Sequence, residues 1–153
     1  MNKRRKIGRG FEKLRVMNDA VTLYAETCKV YTSPASELKR AASKAIAAAQ
    51  SIFSNISEGY GRTGSTNYLQ YLNIALASSV ELHSCLLASH LAGQITEGQF
   101  NAVNQILYRT ENQLIKLIES LQGNSNGKES NSTFAKGTKR TSQPKILISQ
   151  FTS

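Results

Sequence analysis

Residues 36–62 read SELKRAASKAIAAAQSIFSNISEGYGR. Leu38, Ala42, Ala45, Ala49, Ile52 and Ile56 recur at alternating steps of four and three, which places them on one helical stripe. Six alanines at 41, 42, 45, 47, 48 and 49 add high helix propensity with little side-chain bulk. So slim a helix lets neighbouring backbones approach, and the stretch predicts a helix in the middle of an assembly. Glu58-Gly59 is expected to stop it, because glycine enters the left-handed conformation at little cost.

Upstream, Phe11 to Thr32 predicts the first helix. Leu14, Met17, Val21, Tyr24, Cys28 and Tyr31 make a seam at 3-4 spacing, widened by Val16, Ala20, Leu23 and Val30. Ser33-Pro34 ends it and opens the next helix, with Ser33 or Ser36 as cap. Downstream, a third helix is expected from Thr66 or Asn67 to Ala92, with a seam of Tyr68, Leu72, Ala75, Ser79, Leu82 and Leu86. Leu69, Tyr71, Ile74, Leu76, Val80 and Leu87 leave it apolar on other sides too, a surplus that points to self-association. Gly93 closes this helix. Thr96 to Gln99 (TEGQ) forms a capping box before a fourth helix, whose seam is Phe100, Val103, Leu107, Thr110, Leu114, Leu117 and Leu121 and whose end is Gly123. Short links between four helices predict an all-α, antiparallel up-down-up-down four-helix bundle.

The 153 residues suffice for one domain with a core, and no period-two strand pattern occurs. The net charge of +9 is unevenly placed. Residues 1–15 carry seven bases and one acid; residues 123–153 carry five and one; residues 16–122 carry seven and eight. The chain therefore divides into a basic arm (1–10), a nearly neutral bundle (11–122) and a basic tail (123–153). The tail is rich in Ser, Asn, Gly and Lys and is expected to be disordered, except for a short apolar patch at Ile146 to Phe151. Basic arms attract polyanions through phosphate neutralisation, or simply solubilise the chain.

Cys28 and Cys85 lie far apart at apolar helical positions and read as free thiols. No stretch holds eighteen consecutive apolar residues, so a soluble cytoplasmic protein with no membrane partner is expected. Gly59 to Gly64 (GYGRTG) spells the dinucleotide-binding string, but it follows a helix rather than a strand. His83 and His90 stand seven apart, whereas metal ligands on one helix face usually sit three or four apart, and no carboxylate cluster completes a shell, so neither a metal nor another cofactor is expected. No metalloprotease, nucleophile-elbow or P-loop motif is present. Glu58 and Glu81 are the only acids placed near the interior. Arg62 is expected to hold one of them in an ion pair, which argues against an enzyme.

Asn55 to Arg62 (NISEGYGR), Tyr68 to Ala75 (YLQYLNIA) and Ser78 to Leu82 (SSVEL) resemble the four-helix bundle proteins encoded in intervening sequences of 23S ribosomal RNA genes, the S23 family. The same fold serves as the accessory variability protein of diversity-generating retroelements. The resemblance covers roughly residues 11–121 and includes the opening Phe11 to Val16. It implies a non-enzymatic homopentamer, ring- or barrel-like, with a basic surface that binds structured RNA, or DNA, and a reverse transcriptase. An arginine pair frequent in the family is replaced here by Ile46-Ala47. The bases assigned to a nucleic-acid surface are then Lys3, Arg4, Arg5, Lys6, Arg9, Lys13, Arg15, Arg40, Lys44, Arg62, Lys139 and Arg140. The alternative is a protein-interaction scaffold that binds no nucleic acid.

Overall fold

The structure is a computed structural model, and it describes residues 10–32, 34–62 and 64–126. Four helices make up the body: α1 (Arg15–Val30), α2 (Lys39–Gly61), α3 (Ser65–Leu91) and α4 (Glu97–Asn126). Short 3-10 turns precede α1 (Gly10–Lys13) and α2 (Ser36–Leu38). Among the described residues there is no strand. Each helix packs on its neighbours in sequence, and α4 closes back onto α1, giving a bundle. The expected disordered tail and the Ile146–Phe151 patch lie outside the described residues.

The core is built from one face of each helix. Ala20 and Leu23 of α1, Ala45, Ala49, Ile52 and Ile56 of α2, Leu72, Ala75, Leu82 and Leu86 of α3, and Val103, Leu107 and Leu114 of α4 are fully buried. Hydroxyls caught in this core hydrogen-bond within their own helices. Thr27 donates to the Leu23 carbonyl at 2.7 Å, and Thr110 donates to the Ile106 carbonyl at 2.8 Å. Ser79 donates to the Leu76 carbonyl at 2.7 Å. These three are satisfied without a partner from across the core, whereas buried Ser89 accepts from the Tyr31 hydroxyl at 2.9 Å and Ser78 meets the Ser51 hydroxyl at 2.8 Å.

Four sequence expectations change. First, the α1 core face is Val16, Met17, Ala20, Leu23 and Thr27; of the expected seam Met17 and Tyr31 are buried, but Val21 is 45% exposed. Second, within the single chain and among the described residues, α2 packs on no α-helix but α1 and α3: Ala42, Ala45, Ala48 and Ala49 are buried, but Ala41 and Ala47 face outward.

Third, Gly59 does not stop α2. The helix continues to Gly61, and the positive φ angles fall at Gly64 (104°) and Gly93 (71°). Fourth, α4 passes through Gly123 to Asn126.

The end of α3 follows expectation. The Gly93 N–H bonds the His90 carbonyl at 3.0 Å and the Gln94 N–H bonds the Ser89 carbonyl at 2.8 Å, a Schellman closure. The capping box that opens α4 also forms. The Gln99 N–H reaches Thr96 Oγ1 at 3.1 Å, and the Thr96 N–H reaches Gln99 Oε1 at 2.9 Å.

By length and composition alone, Thr66–Leu91 is apolar enough to cross a membrane. It nevertheless carries Asn73, Ser78, Ser79, Glu81 and His83, and its inner face is the bundle core.

Candidate nucleic-acid interface

The opening of α1 and the second half of α4 flank an open groove of about 550 Å³. Leu14, Val16 and Leu117 supply its apolar lining. Tyr108, 67% exposed, stands beside them with Asn112 and Gln113. Arg15, Arg109 and Lys116 bring three cations to the same groove.

One of those cations is already neutralised. Arg109 donates to both carboxylate oxygens of Asp19, Nε to Oδ2 at 2.9 Å and NH2 to Oδ1 at 2.7 Å. Gln113 Nε2 donates to Oδ2 at 2.6 Å. The Asp19 side chain is only 18% exposed, so this is a shielded, bidentate pair. The Arg109 hydrogen bonds, above all, hold the Asp19 carboxyl below its ordinary range; burial opposes them, and Gln113 and the Arg109 charge add to them. The same carboxylate raises the guanidinium of Arg109. Arg15 and Lys116 have no ion-pair partner among the described residues.

The groove lies at a particular end of the bundle. Leu14 and Arg15 begin α1, and Lys116 and Leu117 belong to the second half of α4, so the start of α1 lies beside the later part of α4. The chain enters the described body at Gly10 and leaves it at Asn126, both at this end. Residues 1–9 add five bases and no acid, and residues 127–153 add five bases and one acid.

An aromatic clasp fixes the entry point. The Phe11 and Tyr60 rings meet edge to face at 6.3 Å, and Tyr60 meets Tyr68 in the same way at 6.1 Å. The Tyr60 hydroxyl lies against Gly10, where an added Cβ would come within 2.3 Å of it. Tyr68 is half-buried, and burial raises its hydroxyl above the ordinary tyrosine range. Beside this clasp, Arg62 NH2 bonds Glu58 Oε1 at 2.6 Å, and the guanidinium lies 5.4 Å from the Tyr71 ring centre. The Tyr71 hydroxyl donates to the same Glu58 oxygen at 3.1 Å. The Arg62 and Tyr71 hydrogen bonds, in that order, lower the Glu58 carboxyl. The NISEGYGR stretch is therefore largely an intramolecular fastening.

The predicted site residues separate accordingly. Lys13 and Arg15 belong to the groove end of the bundle. Arg62 is at that end too, but is held by Glu58. Lys44 pairs with Glu81 across α2 and α3 at 3.6 Å, and Arg40 stands exposed at the opposite end, near the start of α2. Lys3, Arg4, Arg5, Lys6, Arg9, Lys139 and Arg140 lie outside the described residues. Sequence reasoning missed Tyr108, Arg109 and Lys116. Their only signal was two bases and an aromatic on the outer positions of α4, which reads as an ordinary solvated face.

Glu58 and Glu81 do not form an interior pair. Each is about half exposed, and each has its own cation. His83 Nδ1 meets Asn104 Oδ1 at 3.1 Å, and His90 stacks on Phe100 at 4.9 Å. No three His, Cys, Asp or Glu side chains converge on a metal-sized space among the described residues. Cys28 and Cys85 are free and half-buried.

Residues 12–116 match the family described as 23S rRNA-intervening sequence protein. Among solved structures, a protein of unknown function from the S23 ribosomal protein family of Bacteroides thetaiotaomicron superposes with a TM-score of 0.64 at 22% identity. That match covers 68% of this chain and 95% of the other. No curated protein matches the sequence.

Proposed function

The chain belongs to the 23S rRNA-intervening sequence protein family, and from that premise we propose that it is a non-enzymatic, oligomeric RNA-binding accessory protein of the cytoplasm. The observation that carries this reading is the gathering of positive charge at one end. Lys13, Arg15 and Lys116 stand where both basic flanks join the body. A polyanion approaching this end meets cations from three separated parts of the sequence, and phosphate neutralisation supplies the affinity. Structured RNA is the preferred ligand, with DNA as a weaker alternative. A reverse transcriptase is the protein partner if the chain serves a diversity-generating retroelement.

The assembly belongs to the same proposal. Pairs such as Ser51 with Ser78, Glu58 with Tyr71, and His90 with Phe100 descend on one helix as they ascend on the next, which supports the up-down-up-down order. On α3, Ile74, Val80 and Leu91 are 42%, 59% and 61% exposed. Between them lie exposed Ala77, Ser84 and Ala88, a small-residue face on which another helix fits closely. A homo-oligomeric ring, a pentamer, is the proposed form.

Titrating a labelled RNA hairpin at several salt concentrations tests the binding. The association constant is expected to fall steeply and log-linearly with salt; a flat response, or no binding at low salt, overturns the reading. Light scattering gives the mass, and a monomer would remove the ring. The exposed α3 face also suits a scaffold for another protein. A partner captured equally well after nuclease treatment would favour that alternative.

A further inference from the structure

We propose that the α1–α4 groove holds an unpaired nucleotide of the bound RNA, its base stacked on Tyr108 and its flanking phosphates drawn to Arg15 and Lys116. The proposal deepens the RNA-binding reading and rests on it. Two observations point to a stacked base flanked by phosphates.

Among the described residues Tyr108 is the most exposed of the large apolar side chains, at 67%, and it borders a groove lined by Leu14 and Leu117. A ring with one face open beside apolar walls is a stacking platform, and any base has a π-face to lay on it. The neighbouring amide is held by one end only. Gln113 Nε2 is fixed by Asp19, while its Oε1 is buried with no hydrogen-bond partner. That oxygen is closed off from solvent, so a base in the groove is held through its face and not through this amide. Finally, Arg15 and Lys116 share the groove with the ring, so phosphates on either side of a stacked base meet charge of the right sign.

A paired stretch cannot use such a site, because its base faces are occupied by their neighbours and its edges lie in grooves that side chains enter poorly. The groove therefore selects loops, bulges and ends over continuous duplex. An acidic peptide without an aromatic side chain would satisfy the cations, but it would leave the ring face uncovered.

The full-length chain is titrated with two RNAs of equal length, a hairpin with an unpaired loop and a continuous duplex. Tyr108→Ala is expected to weaken hairpin binding roughly 5- to 150-fold, the range for losing one stacked base. Duplex binding and the slope against salt should stay unchanged, and Tyr108→Phe should keep hairpin affinity. A hairpin carrying 5-iodouracil in its loop should photocrosslink to Tyr108. Because the side chain is on the surface, equal melting temperatures for the three proteins would show that folding is intact. If Tyr108→Ala leaves the hairpin untouched, weakens hairpin and duplex alike, or is matched in its loss by Tyr108→Phe, the proposal is overturned while RNA binding stands. If the unaltered protein binds neither RNA at low salt, the RNA-binding reading itself fails.

Discussion

A methyl group added at Gly59 would sit 2.7 Å from Tyr71 Cβ and 3.0 Å from the Tyr68 ring. The residue is needed for close packing of α2 on α3, not for a left-handed turn. Sequence reading could see that a glycine was required here but not for which of these reasons, since both leave the same letter. Gly59→Ala should cost about 1–3 kcal/mol through overpacking. At Gly61 an added Cβ meets nothing within 4 Å, so Gly61→Ala should be neutral or stabilising by up to about 1 kcal/mol. Thermal denaturation of the two variants separates the explanations, because a shared loss would restore the turn reading. Asp19 makes a second residue-scale case. Its folded pKa is depressed, so its contribution is complete above the ordinary carboxylate range and disappears as pH falls through the depressed value. Melting temperature should thus hold near neutrality and drop below about pH 4. Asp19→Asn should lower stability at pH 7 by about 1–3 kcal/mol and show a shallower acid drop. It also frees the Arg109 charge beside the groove, so RNA affinity at low salt should rise as stability falls. Parallel losses in both would show that Asp19 supports the groove rather than masking a cation.

Helices were legible because three of the four inner faces follow 3-4 stripes that are mostly apolar, broken by single polar letters such as Ser79 and Thr110. On α1 the reading slipped by one position. Two stripes compete there, and the buried one contains Thr27, whose hydroxyl is satisfied by its own helix at Leu23. A polar letter in a core stripe looks like an interruption until that local bond is known. The capping box before α4 was legible for the opposite reason, since both of its bonds lie within four residues. The α1–α4 groove was not legible at all. It joins residues some ninety positions apart, and the Arg109 to Asp19 pair that shapes it leaves no periodic trace. Thr96→Ala should cost about 1 kcal/mol, read from the urea midpoint. The α3 face makes a separate prediction. Val80→Glu places a charge on a side chain that is 59% exposed, so it should leave the helical content of a protomer unchanged. If that face is the subunit contact, light scattering should report a smaller particle; an unchanged mass would move the interface elsewhere.

For the molecule as a whole, where charge sits matters more than how much there is. The residues beyond the described body, 1–9 and 127–153, hold ten of the chain's nineteen bases but one of its ten acids. They join the body at the end where α1 begins and α4 finishes. Lys39 and Arg40 stand near the start of α2, at the other end. A diffuse cloud of positive charge would treat these two groups alike, because screening averages over bases that make no contact. A contact surface would not. Deleting residues 2–9 removes Lys3, Arg4, Arg5, Lys6 and Arg9. If each neutralises a phosphate, the slope of log affinity against log salt should flatten by about 0.7–0.9 per base lost. The double variant Lys39→Gln, Arg40→Gln should leave the slope where it was. Equal effects per charge at both ends would mean that RNA is held by net charge alone. In that case the end where both flanks converge would have no special claim as the binding surface.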